Sequence, residues 1–145
     1  MADEIKQIFE LVVSVIKLIK SKRRDRVFHN RMQNLTTAQV YVLYYLTEKD
    51  AASMSDLAKY ADVKMPTMTD NVDKLVREGM VKREHAGNDR RKVMVMMTEK
   101  GNKLMADHMK NGLESLDKIF GTMKTAEKQH IIQLLTYLKN SLEKV

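Results

Sequence analysis

Short hydrogen-bonding residues and long cations share one side of a predicted helix, about residues 65–79. The buried side of this helix is formed by Met65, Met68, Val72, Leu75 and Val76. The opposite side and its flanks carry Arg77 and the candidates for contact with a DNA major groove, which are Lys64, Pro66, Thr67, Thr69, Asp70, Asn71 and Lys74. Small polar groups at the start of a helix can hydrogen-bond base edges, and later cations can meet phosphates. The helix alone does not decide between a DNA major groove and plain solvent.

A second group of charges follows in a predicted β-hairpin. Two strand-like runs, Met80–Arg83 and Val93–Met97, flank a polar segment with a Gly-Asn-Asp turn. Five cations of this segment, 82–92, oppose only the acids Glu84 and Asp89. The candidates for contact with DNA are Lys82, Arg83, Asp89, Arg90, Arg91 and Lys92. An arginine on so short a loop can enter a minor groove, where it responds to groove width and negative potential. The alternative is a hairpin that only keeps the surface soluble.

The elements that position these two surfaces form a helix-turn-helix followed by the hairpin. Thr36 and Gln39 have the spacing of a capping box, and Ser53 and Asp56 repeat it, so a helix is predicted to start at each. Gly79 suits a left-handed cap at the end of the third helix. A charged hairpin directly after such helices is a wing, which predicts a mainly α, winged helix-turn-helix fold.

Three longer helices are predicted outside this lobe, each with a continuous apolar stripe. Thr98 and Thr125 are the predicted caps of the second and third. The predicted divisions are a first helix with a basic connector (1–34), the winged lobe (35–98) and two last helices (99–145). Because one monomer of this size cannot easily cover three stripes, we expect the outer helices to form a homodimer.

Composition narrows the function classes. The net charge of +7 suits a polyanionic partner, and the absence of cysteine excludes disulfides and thiol-ligated metal sites. The chain starts with acidic Asp3 and Glu4, and no apolar run approaches the roughly 18 residues of a membrane span, so we expect a soluble, cytoplasmic protein. The scattered histidines fit no metal motif, and no catalytic or cofactor motif is recognisable, so neither an enzyme nor a cofactor is expected.

Several of these segments together resemble the MarR (multiple antibiotic resistance regulator) family over nearly the full length. The resemblance lies in Leu35–Gln39, Met65–Thr69, Leu75–Arg83, Asp89–Val95 and Met97–Gly101. It implies a dimeric transcription factor, commonly a repressor, whose terminal helices intertwine two subunits over a pseudo-palindromic duplex. It also implies that Arg91 enters the minor groove, steadied by Asp89, while Thr67, Thr69 and Asn71 face the major groove. Asp70 departs from the basic residue that the family often has there.

In many members of this family a small phenolic or lipophilic effector binds beside the DNA-binding lobe and weakens DNA binding. Candidates for such a pocket, assigned from position, are Phe9, Tyr41, Tyr44, Tyr45 and Met105.

Three features of the sequence each allow two interpretations. The basic stretch 17–31 contacts flanking phosphates or is a solvated helix end. The 12 methionines fill the core, or they line a permissive pocket or sense oxidation. The winged helix could instead bind an acidic protein partner.

Overall fold

The computed structural model of the chain describes residues 2–22, 32, 34–87 and 89–144. The helices are α1 (Ala2–Lys22), α2 (Thr37–Glu48), α3 (Met54–Tyr60), α4 (Met65–Arg77), α5 (Glu99–Phe120) and α6 (Thr125–Leu142). The strands are β1 (Ala52–Ser53), β2 (Val81–Ala86) and β3 (Asp89–Met97). The predicted fold class, mainly helical with a small hairpin, is confirmed. Most of the basic stretch, residues 23–31, lies outside the described residues.

The predicted helix starts are confirmed at four of five positions. Thr36 accepts a hydrogen bond from the Gln39 backbone, and the Gln39 side chain accepts one from the Thr36 backbone, which completes the capping box. Ser53 caps α3, and the Thr98 hydroxyl caps α5 by accepting from the Gly101 N–H. The α4 start at Met65, with Pro66 in the first turn, is also as predicted.

The predicted cap of α6 is wrong by one residue. Lys124 is the N-cap residue, and Thr125 is already the first residue of the helix. The Glu127 carboxylate accepts a hydrogen bond of 2.7 Å from the Lys124 backbone N–H. A carboxylate in the first turn can satisfy a free N–H there as a threonine hydroxyl would, and its negative charge suits the helix N-terminus.

The β-strands form one antiparallel sheet in the order β1-β3-β2. Strand β1 was not predicted, because a strand of two residues is too short to show alternating polarity in the sequence. It pairs with β3, with Ala52 opposite Val95 and Ser53 opposite Met94. Strands β2 and β3 are longer than predicted, so that most of the expected polar loop belongs to the ladder. Alternation along β2 places Val81 and Arg83 on one face and Lys82 and Glu84 on the other.

The buried core belongs to the winged lobe and the start of α5. Its largest fully buried members include Leu43 of α2, Leu57 of α3, Met68 and Leu75 of α4, Val95 of β3 and Met105 of α5. These side chains pack into a continuous cluster, which fixes the relative placement of α2, α3, α4 and the sheet. The exposed side of α4 is therefore held on a rigid base.

Two compact units divide the chain, Met1–Asn111 and Gly112–Val145. In the first unit, α1 exposes a wide apolar side formed by Ile5, Ile8, Phe9, Leu11, Val12, Val15, Ile16 and Leu18. In the second, the exposed apolar residues include Leu113, Leu116, Ile119, Leu134, Leu135, Leu138 and Leu142. Among the described residues, no helix combines the length and the apolar character that crossing a membrane requires.

Candidate nucleic-acid interface

The turn between α3 and α4 fixes where the recognition surface begins. Asp62 has a left-handed backbone, with φ of 52°, and the Val63 N–H donates to the Ala58 carbonyl over 3.0 Å. This hydrogen bond closes the end of α3 in a tight turn, after which Lys64 stands as the exposed N-cap of α4. The turn sets the angle between two short helices, which is the geometry of a helix-turn-helix.

The exposed side of α4 carries Pro66, Thr67, Thr69, Asp70 and Arg77, opposite buried Met68, Val72 and Leu75. The Thr69 hydroxyl donates to the Met65 carbonyl of its own helix, so this hydroxyl has only its lone pairs left for a further hydrogen bond. Arg77 lies in the last turn of α4, and its side chain is exposed on the side of the helix that faces away from the core. The structure thus presents short groups first and a cation later, in the order the sequence predicts.

Two residues predicted to contact DNA make contacts within the lobe. The Thr36 hydroxyl donates to the Asn71 side-chain oxygen over 2.7 Å, and the Asn71 amide donates to the Thr67 carbonyl. The Lys74 ammonium donates to the Asn34 carbonyl over 3.4 Å. Both side chains belong to half-buried residues. Asn71 and Lys74 therefore tie α4 to the segment before α2, and their contact with DNA stays a prediction.

The tip of the hairpin presents the second cationic surface. Arg91 and Lys92 are exposed, and the Asp89 carboxylate accepts a 3.0 Å hydrogen bond from the Arg91 backbone N–H. Asp89 was predicted to steady Arg91, and this bond does so at the main chain of Arg91. The side chain of Arg90 lies outside the described residues. Gly87 turns the chain at this tip with φ of +46°.

The base of the hairpin carries cations that are already paired. Lys82 forms an ion pair with Glu84 on the outer face of the sheet. Arg83 lies on the other face, where its Nη2 is 2.6 Å from Oδ1 of Asp73 on α4. Asp73 was not among the predicted site residues. The signal was present in the alternation of β2, because Arg83 shares the face of buried Val81 and Val95, which points toward α4.

The five candidate pocket residues lie in different surroundings. Met105 is 2% exposed within the core, whereas Phe9 on α1 is 67% exposed. Tyr41 and Tyr45 both meet Tyr60 edge to face. Tyr44 turns instead toward α5, with its hydroxyl 2.6 Å from Nε2 of His108. The structure therefore brings Tyr41 and Tyr45 together and separates them from Tyr44; a ligand at any of these positions stays a prediction.

A helix-turn-helix with a three-stranded sheet and a cation-tipped hairpin defines the winged helix-turn-helix class. A solved structure has the same fold: FabT of Streptococcus pneumoniae, solved in complex with DNA, superposes with a TM-score of 0.79 at 22% identity, covering 96% of this chain and 97% of that one. The model of the MarR family matches residues 35–93.

Two relatives extend the likeness beyond that lobe. The HTH-type transcriptional regulator YfiV of Bacillus subtilis is 28% identical over 134 residues, covering 92% of this chain and 84% of its own. The homoprotocatechuate degradative operon repressor of Escherichia coli is 25% identical and covers 77% of each chain. The match to the MarR family model thus covers the winged lobe, and the similarity to these two regulators covers most of the chain. Its named relatives are regulators and not enzymes.

Proposed function

We propose that this chain is a MarR-family transcriptional regulator and that it binds a pseudo-palindromic DNA duplex as a homodimer, with α4 in the major groove and the hairpin tip in the minor groove. One observation carries the proposal: the exposed side of α4 and the exposed cations Arg91 and Lys92 belong to one packed lobe. Helix-turn-helix proteins read base edges from the start of the recognition helix, and arginines occupy narrow minor grooves. FabT, which shares this fold, was solved in complex with DNA, and this supports the same use of the fold here.

Dimer formation follows from the outer helices. The apolar side of α1 spans roughly half its circumference, and Ile5 and Phe9 are each 67% exposed. A monomer rarely leaves apolar stripes of this length in water, and a second copy of the chain would bury them. Two recognition helices would then lie about one DNA turn apart, which requires two half-sites.

Repression released by a small aromatic or lipophilic effector is the regulatory mode we infer. One relative is named as a repressor of an operon that degrades an aromatic compound. The aromatic residues of α2 supply a suitable surface, since Tyr41 and Tyr45 gather around Tyr60. An effector of this kind acts only through unequal affinity for the DNA-bound and free states.

Salt-dependent binding of Arg91→Gln tests the DNA contact. Loss of one phosphate or groove contact should weaken binding to every duplex and lower the salt slope by about 1 unit. Lys118→Gln is the matched control, because Lys118 is an exposed cation on α5, outside the lobe. Equal loss in both variants would show that only net charge matters and would favour an acidic protein partner over a DNA site.

Solution mass tests the dimer. The chain has a mass of 16.8 kDa, and light scattering at micromolar concentration should give twice that value. Ile8→Glu places a charge in the apolar side of α1 and should produce monomers, whereas Lys6→Glu, on the polar side of the same helix, should not. A wild-type monomer would contradict the proposal.

Thermal shift and duplex binding test the effector together. Within a panel of phenolic acids and fatty acids, at least one compound should raise the melting temperature and weaken binding to the selected duplex. The two effects must come from the same compound, because its preference for the free protein causes both. No effect from any member of the panel would contradict the effector proposal and leave DNA binding untouched.

A further inference from the structure

Among the wing cations whose side chains the structure describes, Arg83 has surroundings unlike those of a DNA contact. Its side chain is 31% exposed, and its guanidinium meets the Asp73 carboxylate of α4 at 2.6 Å. In the ladder it lies directly opposite Val95, which is fully buried. Directly opposed residues on paired strands point to the same face of a sheet. The Arg83 side chain therefore leaves the hairpin on the side of α4.

Asp73 occupies a position where an acid is costly next to DNA. It lies one turn after Asp70 and one turn before Arg77, beside the exposed side of α4. An unpaired carboxylate at this place would repel phosphates. If Arg83 turned away to contact a phosphate, it would leave Asp73 without this partner at the moment when the polyanion arrives. We therefore expect the ion pair between Arg83 and Asp73 to persist when DNA is bound.

We propose that Arg83 is a positioning residue: through Asp73 it braces the wing against the recognition helix and sets the angle between the two DNA-contacting surfaces. This inference rests on the proposed function, because it assigns a role within DNA binding. Simultaneous entry into a major and a minor groove requires both surfaces at one relative orientation. The ion pair joins the middle of β2 to the second half of α4, between the core contacts below and the hairpin tip above.

The direction in which Asp73→Asn changes the DNA affinity distinguishes this role from a direct phosphate contact. Asp73→Asn removes a negative charge close to the DNA, which by electrostatics alone should tighten binding. If Arg83 works through Asp73, the same change frees the wing and weakens binding instead, by about 10-fold for the preferred duplex. Arg83→Gln should weaken binding by a similar factor and leave the salt slope unchanged, whereas loss of a phosphate contact lowers it by about 1 unit.

The experiment measures duplex binding of the full chain by fluorescence anisotropy at several salt concentrations, for wild type, Asp73→Asn, Arg83→Gln and the double variant. Stoichiometric titration gives the active fraction, so that a loss of folded protein cannot imitate weaker binding. Because each member works only through the other, the double variant should bind no more weakly than either single one. Glu84→Gln is the control, since it opens the ion pair with Lys82 on the opposite face and should not weaken binding.

Three results would overturn the proposal: tighter binding by Asp73→Asn, a salt slope lowered by about 1 unit in Arg83→Gln, or additive losses in the double variant. Each of these leaves the proposed function standing, because wild type still binds selectively. A wild type that binds every duplex alike contradicts the proposed function, and the positioning role falls with it.

Discussion

The phenolic oxygen of Tyr44 lies 2.6 Å from Nε2 of His108, and the two rings meet edge to face. Tyr44 belongs to α2 of the winged lobe, and His108 belongs to α5, the helix that follows the wing. Both residues are half-buried. A side-chain hydrogen bond thus joins the DNA-binding lobe to the helix that continues beyond it.

Removal of that hydroxyl should be measurable as a loss of stability. Tyr44→Phe keeps the ring contact and removes the hydrogen bond, so the free energy of unfolding should fall by about 0.5–1.5 kcal/mol in urea denaturation. Tyr41→Phe is the control, because exposed Tyr41 meets Tyr60 through its ring, which phenylalanine retains. Equal stability of the two variants would contradict a structural role for the Tyr44–His108 contact.

Gly101 and Gly112 offer opposite outcomes within one helix. A Cβ atom on Gly101 would lie 2.2 Å from the Met80 carbonyl oxygen and 2.8 Å from Sδ of Met97, whereas one on Gly112 would meet nothing within 4 Å. Gly112→Ala should therefore raise the free energy of unfolding by up to about 1 kcal/mol, as alanine does in helices. Gly101→Ala should lower the free energy of unfolding, because the backbone would have to move to make room for the new Cβ atom. Stabilisation of both variants in thermal denaturation would refute the close approach at Gly101.

The left-handed turn at Asp62 predicts an unusual order of stabilities. The backbone of Asp62 has a φ of 52°, in the left-handed region. Glycine adopts this region most easily because it has no Cβ atom, and aspartate adopts it more easily than alanine because its short polar side chain can hydrogen-bond locally. Asp62→Gly should leave stability near wild type or above it, and Asp62→Ala should cost about 1 kcal/mol. Chemical denaturation of the two variants gives the comparison, and a more stable alanine variant would contradict the conformation of this turn.

Asp70 should govern which duplex is preferred more than how tightly duplexes bind. It stands exposed in the middle of the outward side of α4, and a carboxylate can accept a hydrogen bond from cytosine N4. Asp70→Ala should change the preference at one base pair of each half-site by about 1–3 kcal/mol. Arg77→Ala is the comparison, because loss of a phosphate contact lowers affinity alike for all duplexes. A uniform change in Asp70→Ala would refute the assignment.

The local features of the fold were readable because each depends on a few neighbouring residues. The capping box of Thr36 and Gln39, the cap at Ser53 and the left-handed Gly79 all follow from side chains within a few positions of the backbone they serve. The α6 start was misplaced because a threonine and the glutamate two residues later both suit a helix start, and only the structure shows which group takes the free N–H.

The partners of most polar and charged candidates were not readable, because they are distant in sequence. Lys82, Arg83, Asn71 and Lys74 were assigned to DNA by residue type, yet each contacts another group of the protein. Arg83 and Asp73 meet only after β2 folds back beside α4. The pocket candidates show the same limit, since Met105 continues the apolar stripe of α5 into the core while Phe9 stays exposed.

Selection of bound sites from a random duplex library, at two salt concentrations, tests the central claim most directly. A dimer with α4 in the major groove should recover a pseudo-palindrome whose half-sites lie about 10 base pairs apart, and the preference should survive at the higher salt. Weak, sequence-independent binding that disappears near physiological salt would contradict the claim.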